Sequence, residues 1–181
     1  MNWRGIAEFA AFQVVWIACA LGAAAGSNAI GVAAAGALIG VHLCARYQVS
    51  PAAAKGVALT VLACGIIGLA AESLLAAAGL VRYAAPWPSP HVAPPWVVAL
   101  WLAFGTTLAA TASLLGGRLA IAAVVLGAVF GPLSYLAGAK LGAVTIVAPQ
   151  WQGYGAIAII WAVAYPLLLQ VSRPLHRDAA G

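Results

Sequence analysis

GPLSYLAGAKLG, residues 131–142, places a helix breaker, two hydroxyls and a lysine in a run that is otherwise apolar from Leu119 onward. In a helix crossing lipid, Pro132 removes one backbone donor and leaves the carbonyl of Ala128 without its usual partner. An unsatisfied backbone group in hydrocarbon costs several kcal/mol, so a neighbouring element must supply a donor. Gly127, Gly131, Ser134, Gly138 and Gly142 recur at spacings of four, three, four and four, which draws one smooth stripe where a second helix can approach closely. The stretch therefore predicts a buried membrane helix with a structural kink formed by Gly131, Pro132 and Gly138.

The rest of the composition agrees. Of 181 residues, 65% are hydrophobic and 6% are charged, too few charges to cover a soluble globule. The net charge of +5 comes from eight Lys and Arg against three acids. In an apolar chain such an excess reports membrane topology, and no basic patch interleaved with aromatics suggests nucleic acid. Cys19, Cys44 and Cys64 are odd in number, lack CxxC spacing and fall inside apolar runs, so small buried hydrophobes are expected in place of disulfides or a thiolate metal site.

Six apolar runs are long enough to cross a core of about 30 Å at about 1.5 Å per residue. They cover residues 6–25, 29–45, 56–80, 96–115, 119–138 and 154–171. Arg4, the first run and AAAG at residues 23–26 imitate a signal peptide, but Glu8 and Gln13 interrupt the run, and it is taken as a retained first helix. Residues 81–95 carry Pro86, Pro88, Pro90, Pro94 and Pro95, a composition that predicts a stiff, extended cover. A short polar tail follows from residue 172. With a cytoplasmic N-terminus, that side receives Arg4, Arg46, Lys55, Arg118, Arg173 and Arg177, while the far side receives Arg82 and Lys140. The expected fold is all-α: a single-domain, polytopic bundle of six transmembrane helices with both ends inside.

Glu72 is the one acid deep in a predicted span. Gly65, Gly68, Glu72, Ala76 and Gly79 share a face, so the carboxyl emerges from a small-residue stripe that should pack on another helix. Intramembrane carboxylates are costly and mark functional candidates. Counting rise from each helix middle puts Glu72 about 6 Å outward, Trp101 about 7 Å, Ser134 about 8 Å and Tyr135 about 10 Å. These four form a polar layer in the outer half. Lys140 lies near the outer boundary, where it can reach toward Glu72 or snorkel to headgroups. A purely structural role is the alternative for Glu72, gluing helices through Ser134, Tyr135 or the Ala128 carbonyl. Gln13 and Trp16 sit near the middle of the first helix, and His42 lies near the inner end of the second beside Arg46, without metal partners at its depth. Thr106, Thr107 and Thr111 can return their hydroxyls to their own helix. Arg4 and Glu8 form an i,i+4 pair, and the GxxxG matches at residues 22–26 and 36–40 suggest helix packing.

No GxSxG elbow, HExxH, Walker loop or GxGxxG is present, and Ser134 has no histidine at its depth. The blocks FGPLSYLAGAKLGAV from Phe130, WVVALWLAFGTTL from Trp96 and FQVVWIACALGAAAG from Phe12 resemble the bacterial inner-membrane family called domain of unknown function 2878. The resemblance covers nearly the whole chain and implies no established activity. It implies a multi-pass protein of the bacterial inner membrane. A frequent gene neighbourhood with cyclopropane-type fatty acid modification implies a link to membrane lipids. By motif, the resemblance points to Gln13, Trp16, His42, Glu72, Trp101, Thr107, Gly131, Pro132, Ser134, Tyr135, Gly138 and Lys140.

The leading expectation is a site that binds or modifies a lipid-like amphiphile. Glu72, Tyr135 and Ser134 would be its catalytic groups, with Lys140, Trp101, Gln13, Thr107 and His42 binding the ligand, and Lys140 holding an anionic headgroup. Membrane lipids are the expected partners; no cofactor, metal or nucleic acid is expected. The alternatives are a small proton-coupled transporter, which needs a polar path through both halves, and a non-catalytic assembly or scaffold protein, which needs no cavity beside Glu72.

Overall fold

A computed structural model describes residues 3–115, 119–147 and 149–177. The elements are α1 (Trp3–Ala24), α2 (Asn28–Tyr47), α3 (Pro51–Ala77), β1 (Val81–Tyr83), α4 (Pro95–Phe104), a 3-10 turn (Gly105–Thr107), α5 (Leu108–Leu115), α6 (Leu119–Lys140), β2 (Val144–Ile146) and α7 (Gln150–Arg177). Six spans are long and apolar enough to cross a membrane: Gly5–Ala24, Asn28–Tyr47, Pro51–Ala77, Pro95–Ala112, Ile121–Lys140 and Gln150–Ser172. The protein is thus an all-α, multi-pass membrane bundle. The fourth span is composite, because α4 tightens into the 3-10 turn before α5 resumes.

Two short strands were not anticipated. α3 stops at Ala77 because Gly79 takes φ +69°, and its neighbour closes the helix with Leu80 N–H donating to the Leu75 carbonyl at 3.1 Å. α6 ends the same way: Gly142 has φ +80°, and Ala143 N–H donates to the Gly138 carbonyl at 3.0 Å. A glycine in the left-handed region followed by this six-residue closure turns the chain sharply without a Cβ penalty. Each turned chain then has just enough length for a strand, and β1 pairs antiparallel with β2 in the register Val81↔Ile146, Arg82↔Thr145, Tyr83↔Val144. The third helix therefore ends before residue 80, and residues 81–83 are strand, where extended cover was expected. The rest of that cover is fastened down. Asn28 Nδ2 donates to the Ala85 carbonyl at 2.9 Å, Trp96 Nε1 to the Ala84 carbonyl at 3.0 Å, and Ala93 N–H to Ser73 Oγ at 3.0 Å.

The last helix runs to Arg177, through much of the stretch expected as a polar tail. α6 packs most extensively on α7, and α3 packs on α2, α4 and α7. Among apolar helices in lipid, such association rests on close packing of small residues. A Cβ on Gly131 would lie 2.6 Å from Cγ of Trp161, and one on Gly68 would collide with the Trp101 ring. The two GxxxG matches differ from each other. Gly22 faces Ile30, but Gly36 and Gly40 meet nothing within 4 Å, so the α2 match is not a packing seam. Pro132 lies within α6, which continues as helix on both sides of it.

Candidate functional site

Glu72 is 1% exposed, one and a half turns from the end of α3 that carries the sheet. Its carboxyl group is the centre of a converging set of donors. Trp101 Nε1–H, from α4, donates to Oε1 at 2.7 Å. Tyr83 of β1 and Tyr135 of α6 each donate a hydroxyl to Oε2. The two tyrosine oxygens are 3.5 Å apart. The strand register explains Tyr83. Val81 and Tyr83 point into the bundle while Arg82 and Thr145 point out, so alternation along three residues delivers the phenol to the carboxyl. Burial, and secondly the neighbouring Glu72, push the Tyr83 phenol well above its ordinary range, which keeps it protonated and donating.

This cluster closes one end of a cavity of about 690 Å³. Its walls come from α1 through Phe9, Phe12, Gln13 and Trp16, and from α6 through Leu126, Phe130 and Leu133. Its floor comes from α4, α5 and α7, where Trp101 stacks on Trp161 with ring centroids 4.6 Å apart. α1 and α6 scarcely touch, and between them Phe9, Phe130 and Leu133 are exposed. The cavity is thus lined between α1 and α6 by side chains that also reach the bundle's outer surface. Aromatic and aliphatic side chains supply most of its surface, with the polar groups confined to a few positions, the usual chemistry of a small-molecule pocket.

The structure distributes the expected site residues unevenly. Glu72, Tyr135, Trp101 and Gln13 line the cavity, and so does Ser134, but Ser134 Oγ donates to the Gly131 carbonyl at 2.7 Å and makes no bond to Glu72. Gly131 and Gly138 are wall positions where the absence of a side chain lets Trp161 and Val144 approach closely. Lys140 is a correction: it is exposed at the end of α6 and does not line the cavity, so it holds no headgroup there. Thr107 is a second, because its hydroxyl donates to the Phe104 carbonyl at 2.8 Å and Thr111, one turn on, reaches the cavity instead. His42 is a third, since no residue of α2 contributes to the wall. The Ala128 carbonyl is not a partner of Glu72, whose donors are the indole and two phenols.

Tyr83 and Trp161 were not foreseen. The usable signal for Tyr83 was the pair of short alternating segments, VRY and VTI, each following a glycine that ends a helix. Among the described residues no group of three His, Cys, Asp or Glu could hold a metal ion. At the opposite end of the bundle, Glu8 meets Arg46 of α2 at 3.5 Å, an inter-helix pair that the i,i+4 spacing with Arg4 did not suggest.

Neither the curated proteins nor the solved structures compared with this chain include a match. One family model does match, over residues 5–167, which span all six membrane helices down to the last turns of α7. The chain belongs to that family, described as a protein of unknown function, DUF2878.

Proposed function

We propose that this protein binds a single lipid-like amphiphile inside the membrane, taken up sideways between α1 and α6 and held beneath the Glu72 cluster. The observation that carries the reading is the cavity of about 690 Å³ with a saturated carboxyl–tyrosine–indole cluster at one end and an apolar remainder. That volume falls within the roughly 300–1,000 Å³ of pockets that hold one small ligand. Uptake between α1 and α6 suits a molecule that arrives dissolved in the bilayer. With the N-terminus inside, as the six-to-two distribution of Lys and Arg suggests, the cluster lies in the outer leaflet of a bacterial inner membrane.

Glu72 organises the site by fixing the hydroxyls of Tyr83 and Tyr135 and the Trp101 indole. The cavity beside Glu72 speaks for a ligand site over a scaffold. Among the described residues the cavity wall carries no ionisable acid or base besides Glu72 and phenols, and the ion pair at the opposite end, Arg46 with Glu8, lies off it, which speaks against an ion route. Purifying the parent and Glu72→Gln proteins in mild detergent and weighing them intact by native mass spectrometry tests the proposal. The parent is expected to retain a bound lipid-sized mass that the variant loses. A parent that carries no such mass, and takes up none from added bacterial lipid extract, would end it.

A further inference from the structure

Among the described residues, three wall side chains carry N–H groups without a hydrogen-bond acceptor: Gln13 and Trp16, which are half-buried, and Trp161, whose Nε1 is buried. Among the described residues, Trp161 Nε1 is the buried side-chain polar atom left without a hydrogen bond. Counted at helical rise from the sheet end, Trp16 is about 12 Å down and Gln13 and Trp161 about 16 Å, against about 8 Å for Glu72 and Tyr135. Unmatched donors therefore cluster deeper in the cavity than the saturated Glu72 group. A buried N–H without a partner costs about 1–3 kcal/mol, and an acceptor oxygen brought by a ligand removes that cost.

The charge of the ligand follows from what surrounds it. Among the described residues no Lys, Arg or His lines the cavity, so a carboxylate or phosphate would be buried there without a cation. Glu72 already receives three donors and is 1% exposed, leaving little of it for an ammonium group. Resting on the lipid-binding reading above, we infer that the ligand has an uncharged polar end bearing a carbonyl or hydroxyl oxygen, which accepts from Trp161 and Gln13 while its chain leaves between α1 and α6. An ester or alcohol of a single long chain fits this description; a free fatty acid does not.

The test uses probes of one chain length: the methyl ester, the alcohol, the carboxylic acid, the amine and the alkane. Each is titrated into the purified protein while intrinsic tryptophan fluorescence is followed. The ester and alcohol are expected to bind about tenfold more tightly than the acid, the amine or the alkane. Trp161→Phe, which keeps a ring against Trp101, should bring the ester close to the alkane, and Gln13→Leu provides the same comparison should the first variant not fold. Binding of the acid or the amine as tight as that of the ester overturns the inference and leaves the lipid-binding reading standing. Absence of binding by every probe overturns both.

Discussion

Glu8 meets Arg46 at 3.5 Å with 21% of its side chain exposed, whereas Glu72 is 1% exposed and meets two phenols and an indole. The first acid is matched by a charge where solvent or headgroups can also reach it, and its partner comes from one neighbouring helix. The second is matched by neutral donors drawn from three different elements, β1, α4 and α6, all brought to α3. A partly exposed ion pair contributes little because its partners are nearly as well served by water. A buried carboxyl with three dedicated donors is costly to disturb, since removing it strands every donor at once. Glu72 is therefore both a piece of the cavity wall and a fastening between four elements.

The largest test of this contrast is Glu72→Ala. Three buried donors lose their acceptor, and stability in detergent should fall by about 3 kcal/mol, read as an earlier unfolding midpoint by circular dichroism. Full stability in that variant would break the comparison. A step smaller, Gly68→Val drives a side chain into the Trp101 ring and pulls the indole from Glu72, with an expected loss of about 2 kcal/mol. Gly40→Ala on α2 faces open space and serves as the matched control, expected to change nothing. Among the changes that remove an interaction, the smallest effect belongs to Glu8→Gln, which should shift the same midpoint by less than about 0.5 kcal/mol, with the difference shrinking further in salt. A larger effect from Glu8 than from Glu72 would invert the assignment of the two acids.

Much of the fold was legible because membrane spans are written in long apolar runs, and each expected span overlaps a helix. The ends were less so. The third helix was extended past Gly79 because apolar residues continue beyond it, and only the left-handed conformation of that glycine, with the closure by Leu80, shows where the helix stops. Glu72 stood out by cost alone: an acid surrounded by Gly and Ala in the middle of a membrane run demands partners. Two of those partners, Tyr135 and Trp101, followed from equal depth on neighbouring helices. Lys140 was drawn in by the same depth argument and turned outward, because depth counts rise along a helix and says nothing of which face a residue takes relative to a neighbour.

Composition and periodicity by themselves determined that this chain crosses a membrane six times and buries one acid among small residues, since the absence of water in the bilayer leaves helices as the simplest way to satisfy its backbone. Which residues complete that acid was decided only by the folded chain. Tyr83 reaches it because two strands of three residues, each following a helix-ending glycine and with the central partners Arg82 and Thr145 lying 63 positions apart in the chain, come into one ladder; no local pattern encodes that meeting. The cavity likewise exists because α1 and α6 fail to close on each other, a property of how six helices pack together and of none of them alone.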